Sequence, residues 1–189
     1  MRLQTRHHAG PARLGAVILL ALVPLWAPRA PASQTPSCAD RPEFTWLDFW
    51  VGEWRVLTGG QQIGTNRIRK ILDGCAVTEE WTDARGGAGF SLFYVSPDAG
   101  GWRQVWVTNT ALGPGGVKEK RLAARLRDGG VRFEGRIRSG EHVVLDRTTL
   151  RPLEDGRVRQ TIERSSDGGT SWTTGFEAIY VRVAAGSRG

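Results

Sequence analysis

The chain has 189 residues, 40% of them hydrophobic, and eight tryptophans, ample for the core of one domain. Its formal charge of +7 includes four arginines in residues 1–32; without them 22 basic residues stand against 19 acidic ones, a net charge of +3. Nucleic-acid binding needs a clustered basic face. Here the basic residues alternate along strands, as in Arg132-Phe133-Glu134-Gly135-Arg136-Ile137-Arg138, which reads as a solvated outer face and excludes nucleic acid as a partner.

In chain order, Arg2, Arg6, His7, His8 and Arg13 form a basic n-region, followed by the uncharged apolar run Leu14–Trp26. Thirteen residues are too few to span a bilayer, which takes roughly 20. Ala30-Pro31-Ala32 then places small residues where a signal peptidase reads them. Residues 1–32 are therefore expected to be a cleavable signal peptide of bacterial type. The expectation that follows is a secreted or periplasmic protein with no stable membrane insertion after cleavage. Residues 33–41 form a polar arm, and residues 42–185 the folded domain. Two cysteines, Cys38 and Cys75, lie in a chain that reads as exported, so a disulfide between them is expected. It would tether the arm to the second or third strand.

Phe44-Thr45-Trp46-Leu47-Asp48-Phe49-Trp50-Val51-Gly52-Glu53-Trp54-Arg55-Val56 carries five aromatic side chains in thirteen residues. Pro42–Trp50 is expected to form one or two helical turns, Gly52 to bend the backbone, and Trp54 to lead the first strand inward. Beyond Gly52 the signal is period two, broken every eight to twelve residues by Gly-, Asp- or Pro-containing turns. Strands are expected near 53–57, 65–72, 75–82, 90–95, 102–108, 117–126, 131–138, 142–150, 157–164 and 172–183. The cleanest alternation is on the seventh, with Val131, Phe133, Gly135 and Ile137 inward. On the fifth, Trp102, Gln104, Trp106 and Thr108 share one face and Arg103, Val105 and Val107 the other, and the pattern leaves open which faces in. No long helical period and no βαβ spacing is present. The fold class is therefore all-β: an antiparallel up-and-down β-barrel of about 8–10 strands, one end closed by the short N-terminal helix.

Gly52-Glu53-Trp54, preceded by the amphipathic aromatic segment, resembles the Gly-x-Trp opening of the lipocalin and calycin superfamily. The resemblance implies that Trp54 plugs one end of the barrel and that Arg182, from the last strand, packs across its ring. Phe49–Trp54, Gly74–Trp81, Trp102–Trp106 and Ser166–Trp172, in that order, also resemble a family of bacterial secreted lipocalin-like domains of unknown function. That likeness implies a fold and export, and no settled activity. Ser165–Trp172 is also similar to the aspartate box of sialidases, but one copy makes no propeller. It is expected to be a turn held by Asp167.

Of the side chains that could carry chemistry, Glu79 shares its face with Val77 and Trp81, so an inward Glu79 would be a buried carboxylate in need of a partner. A core salt bridge to Arg147 or Arg182 is the plainer role; acid/base catalysis of a lyase- or isomerase-type reaction is the alternative. Nitrobindin-type barrels, which open with a similar Gly-x-Trp, suggest haem through a histidine. His142 is the one histidine beyond residue 32, and it follows a turn as an exposed strand-end residue does. No cofactor and no metal is predicted. The sequence has no Gly-x-Ser-x-Gly elbow, phosphate loop or dinucleotide fingerprint. The remaining constellation is aromatic: Trp81, Tyr94, Trp102 and Trp106 with Gln104, and more distantly Phe133, Phe176, Tyr180, Gln160 and Arg147. Aromatic walls with a few polar groups suit a small-ligand pocket. The expected partner is a small apolar or amphipathic molecule bound in the barrel, and an enzymatic role is not favoured.

Overall fold

The computed structural model describes residues 37–98, 100–110, 116–139 and 141–184. The expected signal peptide and the first part of the polar arm lie outside the described residues. Three 3₁₀ turns, Cys38–Asp40, Pro42–Thr45 and Asp48–Trp50, precede the strands β1 (Gly52–Thr58), β2 (Gln61–Ile71), β3 (Ala76–Asp83), β4 (Ala88–Ser96) and β5 (Gly101–Thr108). These continue as β6 (Val117–Arg125), β7 (Val131–Ser139), β8 (His142–Pro152), β9 (Val158–Ser165) and β10 (Thr173–Arg182). Each strand pairs antiparallel with its sequence neighbour, and β10 closes on β1. The result is a closed ten-strand up-and-down barrel, an architecture consistent with a lipocalin-like fold. Closure leaves no free sheet edge.

The expected helical turns are 3₁₀ in form and cap one end. Leu47 and Trp50 are fully buried, and Phe44 nearly so, over the ends of the strands. Below them lie Trp54, Val56, Ile68, Val77, Phe93, Trp102, Val131, Phe133, Leu150, Val158 and Tyr180. Edge-to-face contacts of Trp50 with Phe93 and Tyr180, and of Phe93 with Phe133, lock this half of the interior.

The Gly-x-Trp opening works as a joint. The indole N–H of Trp54 donates to Trp50 O at 2.9 Å, so the buried ring holds the cap in place. Arg182 sits 4.2 Å from the Trp54 ring and donates from Nη1 to Val51 O at 2.8 Å. Gly52, at φ +146°, passes directly under that guanidinium, and a β-carbon there would overlap it. Glycine is required by both the backbone angle and the close approach.

The arm is fixed at the same end. Cys38 and Cys75 form a disulfide with Cα atoms 4.9 Å apart, and Ser37 Oγ donates to Asp73 O. The β2–β3 connection they grip is the four-residue turn Leu72 to Cys75, in which Leu72, Asp73 and Gly74 all have positive φ. The disulfide is thus anchored at a turn whose backbone is itself unusual.

One expectation about strand faces needs correction, that of an inward Arg147. Trp172 precedes β10, whose register slips between Thr174 and Phe176, so that Phe176 and Tyr180 face in and Trp172 does not. Trp172 instead lies on the outside, under the guanidinium of Arg147 at 3.9 Å, with its N–H donated to Gly169 O. Arg147 correspondingly faces out and makes a two-pronged ion pair with Glu163 at 2.7 and 2.9 Å. The Ser165–Trp172 turn is held by Asp167, which accepts from Ser165 Oγ and from the N–H and hydroxyl of Ser171.

Candidate functional site

The half of the barrel away from the cap is not filled. A cavity of about 290 Å³ opens there, lined by Glu79, Trp81, Gln104, Trp106, Thr108, Thr110, Lys118, Lys120, Thr148, Gln160, Ile162, Arg164, Gly175, Phe176 and Tyr180. Strand register arranges these side chains in rows around the wall. One row runs Glu79, Ser91, Trp106, Lys118 across β3 to β6. The next, one pleat toward the cap, runs Phe93, Gln104, Lys120, Gly135, Asp146 across β4 to β8.

Three inward glycines keep this half open. A β-carbon at Gly64 would overlap the Trp81 ring, one at Gly89 would overlap the Trp106 ring, and one at Gly135 would press on the Lys120 stem. Each large side chain therefore lies back against the wall over a glycine instead of crossing the barrel. This is why two tryptophans can face in while space remains.

The polar groups form two networks. In the first, Glu79 Oε1 accepts from Asn66 Nδ2 at 2.7 Å and Oε2 accepts from Ser91 Oγ at 2.7 Å. Ser91 in turn accepts from Gln104 Nε2, while Tyr180 donates to Gln160 Oε1 and accepts from Asn66. Glu79 is 4% exposed, and its burial raises its pKa above the ordinary carboxylate value. The expected core ion pair to Arg147 or Arg182 does not exist; neutral amide and hydroxyl donors take that place. Burial likewise raises the Tyr180 hydroxyl well above its usual range.

In the second network Asp146, fully buried, accepts from two ammonium groups: Lys118 Nζ at 3.0 Å and Lys120 Nζ by a short bond. Lys120 also donates to Thr148 Oγ1 at 2.6 Å. Arg164 stands 3.8 Å from Asp146 at the rim. Burial brings the Lys120 pKa down to about 8, with Lys118 pushing the same way and Asp146 opposing. The two lysines hold the Asp146 carboxyl below its ordinary value despite its burial.

The residues singled out from the sequence separate clearly in space. Trp81, Gln104, Trp106 and Glu79 line the cavity. Trp102 shares their face but lies at the capped end, 1% exposed, its N–H donated to Glu43 O under the Phe44 ring. Tyr94 is on the outer surface, 37% exposed, because β4 turns Phe93 and Ser91 inward. His142 is exposed at the start of β8 and is not part of the cavity wall. The sequence reading did not single out Lys118, Lys120, Asp146, Asn66, Ser91 or Thr148. One signal was available: lysine occurs three times against 23 arginines, and two of the three lie here. No protein-family model and no curated protein matches the chain.

Proposed function

We propose that this protein is an exported lipocalin-like carrier that binds one small amphipathic molecule in the open half of its barrel. The observation that carries this reading is the pairing of inward aromatic rings with glycine niches. Trp81 and Trp106 fold back over Gly64 and Gly89, so the interior keeps a cavity where side chains of that size could have filled it. At about 290 Å³ the space is at the lower end of small-molecule pockets, which run from roughly 300 to 1,000 Å³. Trp81, Trp106, Ile162 and Phe176 offer an apolar wall, and the lysines, Gln104, Gln160 and Thr148 a polar one. Gln104 Oε1 is buried with no partner among the described residues, an acceptor that a ligand or a water can satisfy. The Cys38–Cys75 disulfide accords with export to an oxidising compartment. Among the described residues no helix is long and apolar enough to cross a membrane.

Tryptophan fluorescence tests the proposal. Saturable one-to-one quenching is expected with an amphipathic ligand from a panel of aromatic acids, fatty acids, retinoids and haemin. Trp106→Ala should diminish it while the protein stays folded. Absence of any response in the folded protein would sink the binding reading.

A second reading, enzymatic, draws on one observation: Glu79, with its raised pKa, lines the same cavity as Lys120, whose pKa is brought down. Lys120, brought down to about 8, can exchange a proton near neutral pH beside a carboxyl whose proton affinity burial has raised. Turnover of a bound ligand that Glu79→Gln abolishes, with binding retained, would favour that reading over a carrier.

A further inference from the structure

We infer that the ligand's polar end is an anion, a carboxylate-sized group held between Lys118 and Lys120, attached to a compact ring-sized apolar body. The inference rests on the small-molecule reading above and adds the chemical class.

The charge count at the site comes first. Lys118 and Lys120 are 10% and 3% exposed at their side chains, and both pair with one carboxylate, Asp146. Glu79, the other buried acid in this wall, has its pKa raised by burial and is bonded to Asn66 and Ser91, not to either lysine. Arg164 adds a third cation at the rim. The wall therefore carries more positive than negative charge in a place largely shielded from water. A buried charge without a full complement is costly, and an anion arriving from solvent relieves that cost.

Hydrogen-bond capacity points the same way. An ammonium has three N–H donors. Among the described residues Lys120 uses two, toward Asp146 and Thr148, and Lys118 one, toward Asp146. Three donors from two adjacent rows of the sheet remain for a ligand, and no acceptor among the described residues takes them. Two carboxylate oxygens suit that arrangement. Gly135 makes it possible, because the bare backbone between β6 and β8 lets the Lys120 stem cross to Asp146.

The apolar body follows from the rest of the lining. Trp81, Trp106, Ile162 and Phe176 bound a space of about 290 Å³, which suits one ring system better than an extended chain. Aromatic carboxylates combine both halves.

Calorimetric titration of the whole purified protein with three matched probes tests this: 2-naphthoate, 2-naphthalenemethanol and decanoate. At pH 7, 2-naphthoate should bind about ten-fold tighter than the alcohol or better, the worth of one or two charge-assisted hydrogen bonds. Lys120→Met should weaken 2-naphthoate far more than the alcohol and so remove most of that preference. Lys118→Gln, which gives up a single bond to Asp146, is the gentler variant should Lys120→Met fail to fold, and should narrow the preference in the same direction. A readout beyond affinity is proton uptake. With Lys120 near pH 8 and facing Lys118, Asp146, Glu79 and the more distant Arg164, binding an anion at pH 8.5 should draw in a fraction of a proton. The alcohol should draw in none, and titration in two buffers of different ionisation enthalpy reads the difference.

Equal affinity for 2-naphthoate and the alcohol would overturn the anion inference and leave the carrier reading standing. Tighter binding of decanoate than of 2-naphthoate would overturn the ring-sized body. Failure of all three probes and of the wider fluorescence panel, in protein shown to be folded, would overturn the carrier reading itself.

Discussion

Trp106 lies in the space that a side chain at residue 89 would take: a β-carbon on Gly89 would overlap its indole ring. Ring and niche are on neighbouring strands, with Gly89 in β4 set one step diagonally from Trp106 in β5. Gly89→Ala should therefore push the ring into the cavity. The expected result is a loss of about 1–3 kcal/mol in stability, typical of overpacking, together with weaker ligand binding. Urea unfolding and fluorescence titration of the same preparation check both. An alanine that left stability and binding unchanged would mean that Trp106 has another resting place.

Asp146 is the hub of the charged wall. Asp146→Asn keeps the shape and removes the charge, leaving Lys118 and Lys120 side by side without a counter-ion. Removing one partner of a buried ion pair typically costs about 3–5 kcal/mol. A loss of that order is expected by chemical unfolding near neutral pH, easing as pH rises toward about 8, because Lys120 without Asp146 gives up its proton at a lower pH than in the wild type.

Glu79 makes stability depend on pH in a direction opposite to that of an ion-paired acid. Its folded pKa lies above 4.5, so between 4.5 and the folded value the native state holds a proton that the unfolded chain has released. Stability from this group is complete below 4.5 and is lost as pH rises through the folded value. Glu79→Gln cannot titrate and still offers an acceptor to Asn66. The variant should gain on the wild type as pH rises from 4.5, by about 1.4 kcal/mol for each tenfold change in proton affinity between the two states. Unfolding midpoints of both proteins across pH 4 to 8 measure the divergence; parallel curves would contradict it.

The Cys38–Cys75 disulfide closes a loop spanning a sequence separation of 37 residues. In the chain-entropy account such a link is worth about 3–4 kcal/mol. Replacing both cysteines by serine should lower the unfolding free energy by roughly that amount. Ligand affinity should change little, because the bridge is at the capped end and does not line the cavity.

What was readable in the sequence was whatever a single strand can express. Val131, Phe133 and Ile137 alternate with charged residues, so one face of β7 declares itself as interior. Gly52, Trp54 and Arg182 could be placed by resemblance, and the geometry around them follows from one ring, one glycine and one guanidinium. β4 gave no such help: Phe90, Leu92 and Tyr94 are as apolar as Phe93 and Val95, while the inward Ser91 looks like a surface residue. Tyr94 consequently reads as a pocket residue although it lies on the outer surface. Trp102 had the right face but an unknown depth, because depth depends on the Phe44 cap far away in sequence. The charged wall was hidden for a different reason. In β6, Lys118 and Lys120 alternate with Glu119 and Arg121, so both faces read as solvated. Only the register across β6, β7 and β8 brings Lys120, Gly135 and Asp146 into one row. That juxtaposition belongs to the closed barrel and to none of its strands alone.

The central claim is that the open half of the barrel holds a small amphipathic molecule, and a crystal structure with the tightest ligand from the fluorescence panel tests it most directly. The account predicts one molecule between Trp81, Trp106 and Phe176, its polar end toward Lys118 and Lys120, with Gly64 and Gly89 still backing the two rings. A ligand seated instead on the outer surface, for example over the exposed side chains of Phe90, Val107 and Val117, with the cavity holding only water, would contradict it.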